Sequence, residues 1–216
     1  FNLHDQRTIF GLLESQKPAT MSFLTASYNE ARTFNSVREQ AAAVIVGINN
    51  ELQKYIPNQV GRFDDSFNIN CTGDYFTSRG FPTILFEAGH YANDYNRDEV
   101  RKLVFIALKA AISFINENDI VSNDLGNYLN IYQNNKCFYD FIFKNVKIND
   151  NNVEKNIKFA VQYKEVLTEG KIEFIPEIIQ IENLDTFFAH QTIDFENKLY
   201  EYEDRNFPKI GDIIKV

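Results

Sequence analysis

Two short segments carry the side chains best suited to chemistry. Phe1-Asn2-Leu3-His4-Asp5-Gln6-Arg7 opens the sequence, and Thr83-Ile84-Leu85-Phe86-Glu87-Ala88-Gly89-His90-Tyr91 lies near its middle. Each is an apolar, strand-like run that ends in one reactive group. The imidazole of His4, followed by Asp5, can point into a polar strand end and serve as a neutral metal ligand. Glu87 follows Thr-Ile-Leu-Phe directly, where desolvation raises a carboxyl pKa and makes it a general base for water. In open α/β sheets chemistry is done beyond the carboxyl ends of strands, so the two are candidates for one shared site. The plain alternatives are a hydrogen-bonded surface histidine and a carboxylate that pairs with an arginine or caps a turn.

The other histidines carry less. His90 lies three residues after Glu87 across a Gly turn, where Glu-x-x-His lacks helical ligand geometry, so a structural role, or one that supports a residue of the site from behind, is expected. His190 has no acidic or sulfur neighbour at ligand spacing. Cys71 and Cys137 form no CxxC pair and read as small buried hydrophobes.

The elements that must position His4 and Glu87 alternate strand and helix over about the first 115 residues. Met21–Ala26 is a short strand. Ser36 and Glu39 form a capping box, and Val37, Ala41, Val44, Ile45, Ile48, Leu52 and Tyr55 then trace one apolar stripe, so a helix starts at Ser36 and Pro57 limits its end. Ile56 to Gly80 reads as a long polar loop holding Arg62 and Asp74. Thr83 to Ala88 is a strand covered on both faces. Asn96 and Glu99 cap a second amphipathic helix that ends near Asn116. Asn116 to Lys136 is a connection with a short helical turn around Leu125 to Ile131. Phe138–Ile148, Ile157–Tyr163, Lys171–Ile181, Gln191–Phe195 and Lys209–Lys215 are strand-like, separated by turn signals at Asn149-Asp150-Asn151-Asn152 and Glu169-Gly170. The expected division is an α/β part over residues 1–136 and a small, mostly antiparallel β domain over 137–216.

Composition narrows the function classes. The net charge of -8 without a Lys/Arg cluster argues against nucleic acid. No apolar run approaches the roughly 18 to 20 residues that span a bilayer, so no membrane partner is expected. Two cysteines are compatible with a reducing compartment, which favours the cytoplasm, although a signal peptide before Phe1 would change that. Because Phe1 already reads as part of a strand, the sequence is expected to be the C-terminal portion of a longer protein.

The order of strand-His-polar, helix, loop, Gly73-Asp74-Tyr75 and a strand ending Phe86-Glu87 resembles the C-terminal part of the catalytic domain of the M14 zinc carboxypeptidases. Phe86-Glu87-Ala88-Gly89-His90-Tyr91 is similar to a bacterial branch of that family, and the trailing β domain to the related aspartoacylase and succinylglutamate desuccinylase group. The resemblance implies a mixed-sheet α/β/α zinc-peptidase fold, one zinc ion with His4 as a ligand, and Glu87 as the base that activates the zinc-bound water. It implies cleavage of a C-terminal peptide bond or a similar amide, with Asp74 where the family places a pocket aspartate before the final strand; the family's substrate-binding arginines lie largely upstream, and Arg62, in the long loop, is a candidate substrate contact of this segment's own. Solvated-loop and turn-capping roles are the alternatives for those two residues.

One departure stands out. The family's first two zinc ligands come from an upstream His-x-x-Glu, and here His4 is followed by Arg7, His90 by Asn93 and His190 by Ile193. This segment alone is therefore expected to hold an incomplete zinc site, to need the upstream half of the catalytic domain, and to be inactive. An N-acyl amino acid deacylase and a non-catalytic binding module are the other readings.

Overall fold

The apolar runs of the first half assemble into a four-stranded mixed sheet. The structure, a computed structural model, describes residues 1–5, 9–118, 125–150 and 152–216. Gln6 and Arg7 of the opening segment, part of the Asn116–Lys136 connection and Asn151 of the Asn-rich turn lie outside the described residues. The chain divides into two compact units, Phe1–Lys136 and Cys137–Val216. Four helices occur among the described residues.

In the first unit the elements are β1 (Asn2–Asp5), β2 (Ile9–Leu12), β3 (Lys17–Pro18), β4 (Met21–Thr25), α1 (Ser36–Leu52), β5 (Val60–Arg62), α2 (Thr72–Ser78), β6 (Ile84–Ala88), α3 (Asp98–Glu117) and α4 (Leu125–Leu129). The sheet order is β1-β6-β4-β5. β1 runs parallel to β6, β6 antiparallel to β4, and β4 parallel to β5. β2 and β3 form a short antiparallel pair.

One face of the sheet is buried by the apolar stripes of α1 and α3. Met21, Phe23, Val60, Ile84 and Phe86 meet Ala41, Ile45, Ile48 and Leu52 of α1 and Val100, Leu103, Ala107 and Ala111 of α3. Phe23 and Phe86 pack edge to face at 5.0 Å, a geometry that adds about 1 kcal/mol to simple burial. Side chains alternate along a strand, so burying Phe86 on the helix side turns Glu87 to the other face. The register there places His4 opposite Glu87, Glu87 opposite Ser22, and Ser22 opposite Gly61. A polar row thus crosses the sheet from β1 to β4 and ends against Gly61 of β5.

Several local expectations are corrected. The cap of α1 is Asn35, whose side chain accepts from the Arg38 amide, and not Ser36. Asn96 does not cap α3. Arg97 occupies that position in the left-handed region (φ 64°), and Asp94 satisfies the Val100 amide at 2.9 Å instead. The stretch read as one long loop from Ile56 to Gly80 contains β5 and α2. Cys71 is exposed, and only Cys137 is buried.

In the second unit β7 (Asn135–Asp150), β8 (Val153–Thr168) and β9 (Lys171–Ile181) form an antiparallel meander, and β10 (Phe188–Asp194) joins β7 in parallel. The β8–β9 turn has positive φ at Glu169 (50°) and Gly170 (79°), the backbone of the hairpin turn whose twist matches its strands. Phe141, Phe143, Val146, Ile157, Phe159, Val161 and Ile178 form its core with Tyr200. Lys209–Lys215 is not a strand. It makes one isolated bridge, Glu177 to Ile213, because Asp212 turns inward to bind Arg205 and the Lys209 amide.

Candidate functional site

The carboxyl ends of β1 and β6 bring His4 and Glu87 together although 82 positions separate them in sequence. They are register partners, with His4 Nδ1 3.7 Å from Glu87 Oε1. Their environments differ. The His4 side chain is 50% exposed, that of Glu87 only 7%. Burial, with the negative charge of Asp5 added, pushes the Glu87 carboxyl up to about 7. A carboxyl titrating there accepts protons far better near neutrality than an ordinary glutamate.

Asp5 and Arg97 frame this pair. Arg97 Nη2 donates to Asp5 Oδ1 at 2.7 Å and to the Ala88 carbonyl, also at 2.7 Å. One guanidinium therefore ties the residue after His4 to the residue after Glu87. The Arg97 amide donates to the Asp94 carbonyl, and Asp94 also holds the first turn of α3. Gly89 follows in a passage too tight for a side chain: a Cβ there would lie 2.2 Å from the Ala19 carbonyl oxygen. Its amide donates to Thr20 O at 2.9 Å, closing β6 against the chain that enters β4.

The remaining sequence candidates are placed elsewhere. Arg62 lies in β5, where Nε donates to the Ile131 carbonyl at 2.9 Å and the guanidinium sits over the Tyr128 ring. Asp74 is buried in α2, its two oxygens accepting from the backbone amides of Ser27 (2.8 Å) and Asn68 (2.7 Å). It ties the segment after β4 to the segment before α2. His90 is buried, its ring 4.9 Å from that of Tyr95. In the second unit, burial lowers the His190 pKa to about 4, and the ring packs edge-on against Phe138.

Sequence reasoning missed Arg97 and Arg38. For Arg97 the only signal was a basic residue nine positions after Ala88, which says nothing of the strand end it reaches. Arg38 drew no notice inside the Ser36–Glu39 box. It is fully buried, donating to the carbonyls of Arg32, Thr33 and Thr25 and to Asp65, and it lies 3.9 Å from the Phe34 ring centre.

As a metal centre the strand ends are incomplete. Their donors are the His4 imidazole, the Glu87 carboxyl and an Asp5 carboxylate already held by Arg97. Zinc usually takes three or four firm protein ligands, and this set does not fit it alone. No protein-family model matches the sequence, and no curated protein or solved structure is significantly similar to it.

Proposed function

We propose that the His4–Glu87 strand end is the base half of an amide hydrolase of the zinc metallocarboxypeptidase type, acting on a C-terminal peptide bond or a similar amide. The observation that carries this reading is the register pairing of an accessible imidazole with a buried carboxyl titrating near 7. Glu87 takes a proton from the attacking water and passes it to the leaving amine, the two transfers an amide hydrolysis requires. Asp5 raises the proton affinity of Glu87, and Arg97 holds Asp5 in place.

His4 is one ligand toward zinc. The reading needs two further protein ligands, and no His-x-x-Glu in these 216 residues supplies them.

The test uses the natural full-length chain, purified in zinc, with short peptides and N-acyl amino acids as alternative substrates. Stoichiometric zinc, turnover of one of the two classes and a loss of about 10²- to 10⁴-fold in Glu87→Gln are expected. Preference for N-acyl amino acids would move the assignment to a deacylase. Absence of zinc after metal-replete purification, or full activity in Glu87→Gln, would overturn it.

A further inference from the structure

Away from the strand ends, the last turns of α1, the entry to β5, and α4 with the segment after it line an open cleft of about 420 Å³. Six of its ten lining residues carry carboxamides: Asn49, Asn50, Gln53, Asn58, Asn127 and Asn130. None of the ten is Asp, Glu, Lys or Arg, residues that make up 24% of the chain. Tyr132 adds a partly exposed aromatic face. The lining is neutral, rich in paired donors and acceptors, and aromatic on one side.

Part of it is preorganised. Gln53 Nε2 donates to Asn49 Oδ1 at 2.9 Å, and the Asn58 amide donates to Gln53 Oε1 at 2.8 Å. These bonds fix both amide planes and leave the second Gln53 hydrogen and the Asn49 NH₂ for a ligand. The last turn of α1 holds no basic residue, and its terminal carbonyls at Asn49, Glu51 and Leu52 already accept from the amides of Gln53, Lys54, Tyr55 and Ile56, which leaves the side-chain carboxamides as the ligand-facing polar groups.

We propose that this cleft binds a neutral saccharide of one or two rings. Adjacent sugar hydroxyls each present a donor and an acceptor, which a carboxamide matches from one planar group. The C–H face of a sugar ring packs on a tyrosine. A charged ligand would gain no counter-charge from this lining, and an apolar one would match none of its carboxamides. The volume falls within the range of about 300–1,000 Å³ common for small-ligand sites. No residue of the His4–Glu87 pair lines the cleft, so this inference stands or falls independently of the proposed hydrolase.

The experiment follows the side-chain amide resonances of the ¹⁵N-labelled chain during titration with glucose, N-acetylglucosamine and maltose, with glucuronate as the charged counterpart. At least one neutral sugar is expected to give saturable shifts in the lining amides, with glucuronate at least about fivefold weaker than glucose. Asn130→Asp, at an exposed position that tolerates the change, and Tyr132→Ala should each weaken binding by about the same factor. Saturable shifts from none of the three neutral sugars, or binding unchanged in both variants, overturns the proposal.

Discussion

His4 and Glu87 face each other across two parallel strands, one ring half in solvent and one carboxyl almost wholly removed from it, 3.7 Å apart. That contrast makes the pair asymmetric: the imidazole is reachable, while the carboxyl is poised to hold a proton.

The buried carboxyl sets a pH dependence of stability. The Glu87 carboxyl titrates at about 7 when folded against 4.5 ordinarily, so as pH rises the unfolded chain loses this proton first. Stability falls between pH 4.5 and 7. Glu87→Gln removes that penalty and should gain up to about 3 kcal/mol at pH 8, with the gain vanishing at pH 4. Urea unfolding of both chains at the two pH values measures it; an equal gain at both would refute the cause.

Asp5 acts on Glu87 through charge, after burial. Asp5→Asn should lower the Glu87 titration midpoint from about 7 toward 4.5 without bringing it there, since the larger cause, desolvation, persists. The side-chain ¹³C carboxyl shift of Glu87 against pH reads this directly. A midpoint that did not move would remove Asp5 from the account.

Asp74 binds two backbone amides with two oxygens. Asp74→Asn turns an NH₂ toward one of those amides, leaving a buried donor unpaired at a cost of about 1–3 kcal/mol. Asp64→Asn, at an exposed carboxylate that meets only the exposed side chains of Arg32 and Ser66, should change stability by less than about 0.5 kcal/mol. Chemical denaturation of both variants separates the two cases.

Gly89 passes against backbone, which cannot swing aside as a side chain would. Gly89→Ala should cost at least about 2 kcal/mol and displace the end of β6. Amide exchange at Glu87 and Ala88 should quicken while that of α1 stays slow. Uniform exchange in the variant would argue against a local cause.

The sequence patterns located elements better than their ends or partners. Thr83–Ala88 stood out because an uninterrupted apolar run needs cover on both faces, and its end at Glu87 was visible as a polar residue in apolar company. That β1 lies beside β6 was not, because strand neighbours so far apart in sequence leave no local periodicity. Capping failed for a different reason. Ser36 and Asn96 are good cap types, but Asn35 reached the amide first, and Asp94, six positions from Val100, was supplied by a turn outside the capping window. β5 is only three residues long and held by β4, too short for an alternating pattern to register. Arg38 shows the limit plainly: its partners are mostly carbonyls, and carbonyls are the same in every sequence.

The polar row across the sheet has one last consequence. Strand side chains alternate with period two, so a slip of β1 by a single residue would exchange His4 for Leu3 or Asp5 opposite Glu87 and carry the imidazole to the other face. Alignment of this pair is therefore all-or-none. Loosening the strand end should split the population into aligned and inverted molecules, without a graded series of poorer distances between them.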